Sequence, residues 1–501
     1  MTIERRNADR GSLERRSLER RSVLKLAAAS ALAGPFAGFV ATPAQARRAP
    51  RASALVPIAD KRDGLVRLHL PRGFQYRSFH DTESPVRLDD GTMLPGRHDG
   101  MAAFAGPQNT VVLVRNHEVN GPVGAFGPWT PYDPTAGGGT TTVHVTKHGE
   151  VISAYTSLNG TMMNCSGGEM PWGSWITCEE TVNGPDVGPD FTGAPNVDLT
   201  QRHGYIFEVP VSVDPEEGQG SRTPIRSAGR FAHESVAYDP ASGYLYLSED
   251  NFGFASCFYR YKPPTDPMAV GRLEDGGTLE ALKVVGVTNA HLEGNQPQGI
   301  EYDVEWVPIP EPDVAYPYTP GVEAPTTNNM AIVHVGGQGW DRGAALFSRL
   351  EGTVFSKGVV YFTSTQGGGP AEAGFEDPGG YGNGFGQVWG FDPARQTLRC
   401  VFQSDGPSTL DFPDNITTSN SGTLVVCEDS SGDNFLRGLS VDGQLWDIAL
   451  NRLRAANGAA RFGDEFAGST FDDKSQTLFV NIQASRGMTF AIWGPWPSIG
   501  V

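Results

Sequence analysis

The 501-residue sequence predicts an all-β protein, specifically a β-propeller with long loop insertions. Short strand–turn–strand units recur along the chain, and apolar residues alternate within them with a period of two. Glycine and proline, at 63 and 37 residues, are spread widely between these units. Alternating strands separated by turn residues are typical of β-hairpins. A pair of β-sandwiches is the main alternative, because the units diverge and their spacing is irregular.

The segment before these units predicts an export signal. An arginine pair at 20–21 precedes an Ala-rich apolar stretch that ends in Ala44-Gln45-Ala46. This order is typical of a twin-arginine signal peptide cleaved after Ala46. A transmembrane anchor is the alternative, but the stretch is short and Pro35 interrupts it. The twin-arginine machinery exports proteins already folded, which allows a metal to be inserted before export to the periplasm or the extracellular space.

The expected domain organisation follows from this signal. We expect a signal peptide at 1–46, a flexible linker at 47–57 and one propeller domain at 58–501. Two insertions, 186–198 and 305–328, are expected at the outside or the rim of the propeller.

Charge and cysteine content exclude several classes of protein. The formal net charge of -18 argues against nucleic-acid binding, because phosphate backbones select basic surfaces. The five cysteines are an odd number, so they cannot all pair within the chain, and a disulfide framework is not expected. We expect a monomer that binds no nucleic acid.

Six segments share the hairpin pattern, and together they carry the fold prediction. Three contain a strand, a polar turn and a second strand, and the other three match the second strand of such a hairpin. In chain order they are 110–118, 173–180, 236–250, 358–369, 415–431 and 469–483.

Acidic residues follow several of the apolar strands. The pairs are Glu179-Glu180, Glu249-Asp250 and Glu428-Asp429, and Asn116-His117-Glu118 ends a fourth strand. Equivalent strand ends of a propeller lie at one level around its axis, so these carboxylates should converge. Such a cluster repels itself unless cations neutralise it, and oxygen ligands of this kind suit calcium.

Two further motifs add candidate residues. FAHESV places His233 and Glu234 at the entry to a hairpin unit, and FSRLEG contains Arg349 and Glu351. Residues two apart in a strand share a face, so Arg349 and Glu351 can hold an anion and a cation side by side.

The motifs together resemble those of the PhoX-type alkaline phosphatases. The resemblance extends from about residue 116 to residue 483, and the segment NCSGGEMPWGSWITCEE at 164–180 is its most specific part. The other matching motifs are NHE, FAHESVAYDP, LSED, SRLEG, CEDS and GSTFDDKSQTLFVNIQ. The twin-arginine signal is also similar to that family's.

This resemblance implies a six-bladed propeller, and it implies a metal-dependent enzyme that hydrolyses small phosphate monoesters with an iron–calcium cluster at the propeller centre. It implies that the Cys165 thiolate binds iron, which suits the softness of sulfur, whereas Cys178 should be a packed apolar residue. The implied metal-bridging glutamates are Glu179 or Glu180, Glu234 and Glu351. Arg349 matches an arginine that contacts the phosphate, and Glu428 and Asp429 match calcium ligands.

Two other functions are compatible with the central carboxylates. A calcium-dependent lactonase or esterase would use them without iron and without a thiolate. A non-catalytic propeller would bind calcium and a partner or polysaccharide without hydrolysing any ester. Cys165 discriminates between these functions, because only the phosphatase needs its thiolate.

Overall fold

The structure is a computed structural model that describes residues 54–472 and 477–501. The predicted signal peptide at 1–46 lies outside these residues. Within the described part of the chain, no helix has the length and apolar character needed to cross a bilayer.

The described residues form 26 strands with two α-helices. Three strands precede the repeated units: β1 Leu55–Ala59, β2 Val66–Pro71 and β3 Gln75–Phe79. Groups one and two comprise β4 His98–Ala105, β5 Val111–His117, β6 Gly138–Val145 and β7 Val151–Thr161, then β8 Asn164–Met170, β9 Ser174–Glu179 and β10 Ile206–Pro210. Group three comprises β11 His233–Asp239, β12 Tyr244–Glu249, β13 Phe258–Lys262, β14 Thr278–Val284 and β15 Glu301–Ile309.

The remaining strands form groups four to six. Group four comprises β16 Leu350–Ser356, β17 Val359–Ser364, β18 Gln387–Asp392 and β19 Thr397–Gln403. Group five comprises β20 Pro413–Thr418, β21 Leu424–Glu428, β22 Phe435–Leu439 and β23 Leu445–Asn451. Group six comprises β24 Glu465–Phe471, β25 Leu478–Gln483 and β26 Met488–Trp493. The helices are α1 Pro267–Val270 and α2 Asn328–Trp340.

Each group is an antiparallel meander, and the groups follow one another around an axis. The first strands β4, β8, β11, β16, β20 and β24 contact one another in a closed ring. This arrangement confirms the predicted all-β propeller class. Ladder hydrogen bonds join the described strands into five sheets, because β15 pairs with both β14 and β19 and thereby links groups three and four. The six-blade count stays a prediction.

Strands from the two ends of the described chain close the ring. β3 pairs with β26, with Thr489 opposite Phe79, and completes group six. β2 pairs with β23, and β1 with β2. Strand β1 begins at Leu55, inside the segment 47–57 that was expected to be a linker, because its backbone pairs with Pro71 and the residues before it.

Hydrophobic cores lie between neighbouring groups, because most strands are buried on both faces. At each boundary between neighbouring groups, one residue of each group packs into a shared core. In ring order, beginning at the boundary between groups one and two, these pairs are Val114 with Trp175, Ile176 with Leu247, Tyr246 with Phe362, Val388 with Val426, Val425 with Val480, and Phe479 with Leu113.

The two predicted insertions differ from expectation. Residues 305–309 belong to strand β15, where they pair with β14. In the other insertion, Asp186 is buried and pairs with the buried Arg230 at 2.8 and 2.9 Å. A buried ion pair of this kind anchors the segment 186–198 against group three, so it is not simply an outer loop.

Helix α2 was not predicted, because its three glycines disguise the helical pattern. Thr327 caps its start by accepting a hydrogen bond from the Met330 amide. Gly339 allows the helix to approach the sheet closely: a Cβ there would lie 3.3 Å from the Cβ atoms of both Ala281 and Ala344. Gly339 therefore serves packing rather than flexibility.

Candidate metal centre

A β-bulge recurs at the start of the first strands. In groups one to five, the ladder register shifts after the first paired residue of that strand. A bulge of this kind re-aims a side chain that would otherwise alternate regularly. The residues directly after the first paired position are Asp99, Cys165, Glu234, Glu351 and Asp414.

Group six has the same register shift but no side chain at this position. The shift follows Ala467, and the next residue is Gly468 with φ +58°. A Cβ at Gly468 would lie 2.3 Å from the Asp99 carbonyl oxygen. Glycine is therefore required where the sixth strand closes the ring.

The second strands contribute another set of polar residues to the same end of the propeller. They directly follow the residue that pairs with the start of each first strand. In groups one to five these residues are Glu118, Glu180, Asp250, Thr365 and Asp429.

Within each acidic pair, the first acid has a different role from the second. Glu179, Glu249 and Glu428 each accept a backbone hydrogen bond from the adjoining strand or the loop before it. The donors are the amides of Gly204 at 2.8 Å, Cys257 at 2.9 Å and Phe435 at 3.1 Å. These glutamates hold the sheet together, and their neighbours Glu180, Asp250 and Asp429 are left for the central site.

The structure therefore does not place Glu179 where a metal ligand would lie, although the sequence offered it as the alternative to Glu180. Its carboxylate is fully buried and accepts hydrogen bonds from the amides of Met162 and Tyr205 at 3.0 and 3.2 Å. It also lies 2.6 Å from Nδ1 of His203. Burial lowers the pKa of His203, but Glu179 and Asp133 outweigh that effect and raise it to about 9. Adjacent residues of a strand face opposite ways, so only one of the two glutamates can reach the centre.

Glu428 is also displaced from its predicted role as a calcium ligand. Arg437 Nε donates to its carboxylate at 2.8 Å, and the Asp411 amide donates at 3.1 Å. Burial raises the pKa of Glu428 to about 7, against the opposing effect of Arg437. These hydrogen bonds hold the Glu428 carboxylate within group five, whereas Asp429 is half-buried and interacts with Glu465 and Asp414.

The structure brings the remaining candidates together in two overlapping sets. One potential ligand atom each from Cys165, Glu180 and Glu234 lie within 4.8 Å of one another. The same is true of Glu234, Glu351 and Asp414. Glu234 belongs to both sets, so its carboxylate can bridge two ions. Cys165 is 4% exposed, and its Sγ lies 3.2 Å from the His233 carbonyl oxygen.

The electrostatics of these sets indicate missing positive charge. Burial raises the pKa values of Glu180, Glu234 and Glu351 well above the usual range, and the neighbouring carboxylates add to the rise. Burial, followed by Glu234 and Glu180, likewise raises the pKa of the Cys165 thiol. Cations bound between these groups would reverse the effect and keep them ionised.

Arg349 lies at the edge of both sets, in a strained backbone conformation with φ +43°. Its Nη2 donates to Asp250 at 2.7 Å and to Glu351 at 2.9 Å, and Nε donates to Asp250 at 3.0 Å. Among the contacts of the described residues, Nη1 has no hydrogen-bond partner. Arg349 and Glu351 therefore lie side by side, and Asp250 is a second partner of the guanidinium.

A further acidic set adjoins the first two on the side of groups one and six, and its members are Asp99, Glu118 and Glu465. Burial and Asp414 raise the pKa of Asp99, and burial and Asp429 raise the pKa of Glu465. Arg97 pairs with Glu118, and Gln483 donates at 2.9 Å to both Asp99 and Glu118. The carboxylates therefore extend across the ring.

A cavity of about 640 Å³ opens beside the cluster. Glu180, Asp250 and Arg349 line its inner end. The segment 186–198 and helix α2 contribute to its walls. Ligand sites commonly occupy about 300–1,000 Å³, so the cavity has room for more than an inorganic anion.

Sequence reasoning missed Asp99 and Asp414 as site residues. The signal was present, because each bulge residue is followed by a small or short polar residue. The five segments are HDG, NCS, HES, LEG and PDN. At Gly100 a Cβ would lie 2.5 Å from the Ser166 backbone, so crowding around the axis limits this position.

Comparisons with known proteins identify a family and a shared fold. A family model described as "Alkaline phosphatase PhoX" matches residues 54–485. Among solved structures, the chain is similar to Pseudomonas fluorescens PhoX in complex with vanadate, a transition state analogue, with 16% identity, a TM-score of 0.61, and coverage of 88% of this chain and 98% of that chain. That likeness shows a shared fold.

Two weaker structural likenesses accompany it. A Bacteroides thetaiotaomicron protein of unknown function has 10% identity and a TM-score of 0.40, over 84% of this chain and 76% of that chain. A gluconolactonase from Xanthomonas campestris has 14% identity and a TM-score of 0.35, over 88% and 98%. No curated protein matches the sequence.

Proposed function

Since this chain belongs to the alkaline phosphatase PhoX family and is a metal-dependent phosphatase, we propose that it hydrolyses small phosphate monoesters at the centre of the propeller, with iron and calcium as its metals. The observation that carries the choice of metals is the pair of overlapping ligand sets that share Glu234. The lactonase and binding-module alternatives lose their support, because the family is one of phosphatases.

The ligand atoms fit two kinds of ion. The set of Cys165, Glu180 and Glu234 contains a thiol, and thiolate with carboxylate favours iron over calcium. The set of Glu234, Glu351 and Asp414 offers only carboxylate oxygens, which suit calcium. We assign Asp429 to a calcium site with Asp414, because these two residues directly follow Pro413 and Glu428, which pair across neighbouring strands.

When bound by these residues, the metals would supply Lewis-acid activation of water and neutralise charge on the phosphate. The protein's own contribution is orientation. Asp250 and Glu351 hold Nε and Nη2 of Arg349, so its guanidinium is fixed before the substrate arrives. Nη1 is then available to donate to a non-bridging phosphate oxygen, where charge develops during phosphoryl transfer. Arg349 is 20% exposed, which gives the substrate access from the cavity.

The site must be assembled before use, which is consistent with export of a folded protein. Its residues come from all parts of the chain between Asp99 and Glu465. We therefore propose that the arginine pair at 20–21 directs twin-arginine export to the periplasm or the extracellular space, with the metals already bound.

Elemental analysis with a matched activity assay tests the proposal. The protein is purified from a host with twin-arginine export, its iron and calcium are measured, and p-nitrophenyl phosphate hydrolysis is followed with and without added calcium. We expect both metals and calcium-dependent phosphate release. Calcium without iron, together with no phosphate release, would contradict the proposal.

Two variants separate metal binding from phosphate binding. Arg349→Ala should lower turnover by about 100-fold or more with both metals retained, because it removes a donor to the transition state and no metal ligand. Cys165→Ala should lose iron and activity together while calcium remains. An Arg349→Ala enzyme with unchanged turnover would remove Arg349 from the phosphate site.

A further inference from the structure

The cavity beside Arg349 has apolar walls away from its inner end. Phe191 and Phe252 line it, and they are 78% and 57% exposed. Phe254, Ile332 and Met163 add further apolar surface. Aromatic side chains left in water at the mouth of a site lose the stabilisation that burial would give, so their position indicates a ligand that covers them.

Both exposed rings are carried on anchored segments. The Phe252 carbonyl oxygen accepts a hydrogen bond from the Tyr381 amide at 2.6 Å, and a Cβ at Gly380 would lie 2.9 Å from the Phe252 ring. Phe191 follows Asp190, which accepts a hydrogen bond from Asn120 at 2.9 Å. The segments that carry the two rings are thus held at the cavity.

The charges of the cavity disfavour a second anionic group on the substrate. Among the described residues that line the cavity, Arg349 is the only cation. Two carboxylates, those of Asp250 and Glu351, already pair with it. Asp190 and Glu376 add negative charge farther out. A carboxylate or a second phosphate there would meet like charge.

We infer that this cavity binds the alcohol group of the phosphate monoester, and that Phe191 and Phe252 select neutral, apolar alcohols, aromatic ones above all. The inference rests on the proposed function for the position of the phosphate, beside Arg349. Phe252 is well placed for this role, because its ring centroid lies 6.0 Å from the Arg349 guanidinium carbon. An aryl group on the phosphate would therefore reach the ring directly, where aromatic stacking adds to apolar burial.

Steady-state kinetics on two substrates test the inference. The variants Phe191→Ala and Phe252→Ala are compared with wild type on 1-naphthyl phosphate and on glycerol 2-phosphate. We expect each variant to lose about tenfold in kcat/KM for the naphthyl ester, mainly through KM, and less than about twofold for the glycerol ester. Comparing each substrate with itself cancels the difference in leaving-group chemistry.

Met268→Ala is the control, because Met268 is 48% exposed in helix α1 and does not line the cavity. It should leave both substrates unaffected. Equal losses on the two substrates, or no loss on either, would overturn the inference.

A binding measurement separates the inference from the proposed function. Naphthylmethylphosphonate, which cannot be hydrolysed, is titrated against the metal-loaded wild type and the two phenylalanine variants. Binding about tenfold tighter to wild type supports the cavity assignment even if no ester is hydrolysed, in which case the proposed function alone fails. Equal binding to all three proteins overturns the inference.

Discussion

The two adjacent glutamates of strand β9 should respond in opposite ways to the same substitution. Glu179 and Glu180 differ by one position, yet the first is a structural acceptor and the second faces the ligand set. Changing each to glutamine removes one negative charge and almost no volume. The comparison therefore isolates the role of each carboxylate.

The magnitude for Glu179→Gln follows from its contacts. One carboxylate oxygen lies 2.6 Å from Nδ1 of His203, and the other accepts the amides of Gly204 and Tyr205 at 2.8 and 3.2 Å. The new amide nitrogen cannot accept those two bonds, and a buried cationic His203 loses the closer of its two carboxylate partners. Breaking a buried pair of this kind costs about 3–5 kcal/mol in the free energy of unfolding.

The expectation for Glu180→Gln has the opposite sign. Burial, Asp250 and Glu118 raise the pKa of Glu180, so its charge is unfavourable in the metal-free protein. Removing that charge should leave the metal-free stability unchanged or raise it by about 1 kcal/mol. The metal-loaded protein should lose bound metal, because a ligand is gone.

Urea unfolding in the presence of a chelator, followed by tryptophan fluorescence, measures the first effect, and elemental analysis measures the second. The reasoning is refuted if Glu180→Gln destabilises the metal-free protein as much as Glu179→Gln does and still retains its metals.

Three further predictions concern pH, an anchored loop and the ring closure. Burial and a neighbouring carboxylate raise the pKa of Asp414 from 3.8 to about 8, so the folded metal-free protein holds a proton that the unfolded chain releases. Its melting temperature in chelator should fall as the pH rises from about 4 to about 8, and added calcium should abolish that trend; a flat profile in chelator would contradict it. Asp186→Ala should lower the free energy of unfolding by about 3–5 kcal/mol in urea titrations, because Arg230 stays buried without its partner. Gly468→Ala should cost about 1–3 kcal/mol and weaken metal retention during dialysis, because a side chain there strains the backbone and meets Asp99; full stability would show that the bulge relaxes.

The sequence was sufficient for the fold class because hairpins are local. Asp239 illustrates this: its side chain accepts the Ala241 amide at 2.9 Å and the Ser242 hydroxyl at 2.6 Å, and so builds the turn that its sequence predicts. The closure of the ring by β3 and β26 could not be predicted in the same way, because it joins residues more than 400 positions apart.

The site was predictable in part for a related reason. Cys165, Glu234, Glu351 and Arg349 were found through their motifs, and the structure brings them to one place. The choice between Glu179 and Glu180 required the facing of strand β9, which depends on its partners. The bulge residues Asp99 and Asp414 interrupt the period-two alternation of their strands. A prediction based on that period therefore does not identify them as site residues.

The pairing of β3 with β26 has a consequence for how the protein is made. The ribosome must release residue 493 before residues 75–79 can find their partner strand. Until then the nascent propeller is an open arc with an unpaired edge at each end, and such edges invite pairing with other chains. Acids from the first and the sixth groups meet only at closure, so a truncated chain lacks both the closed ring and the full set of carboxylates. The full set of carboxylates therefore forms only once strand β26 is available to close the ring.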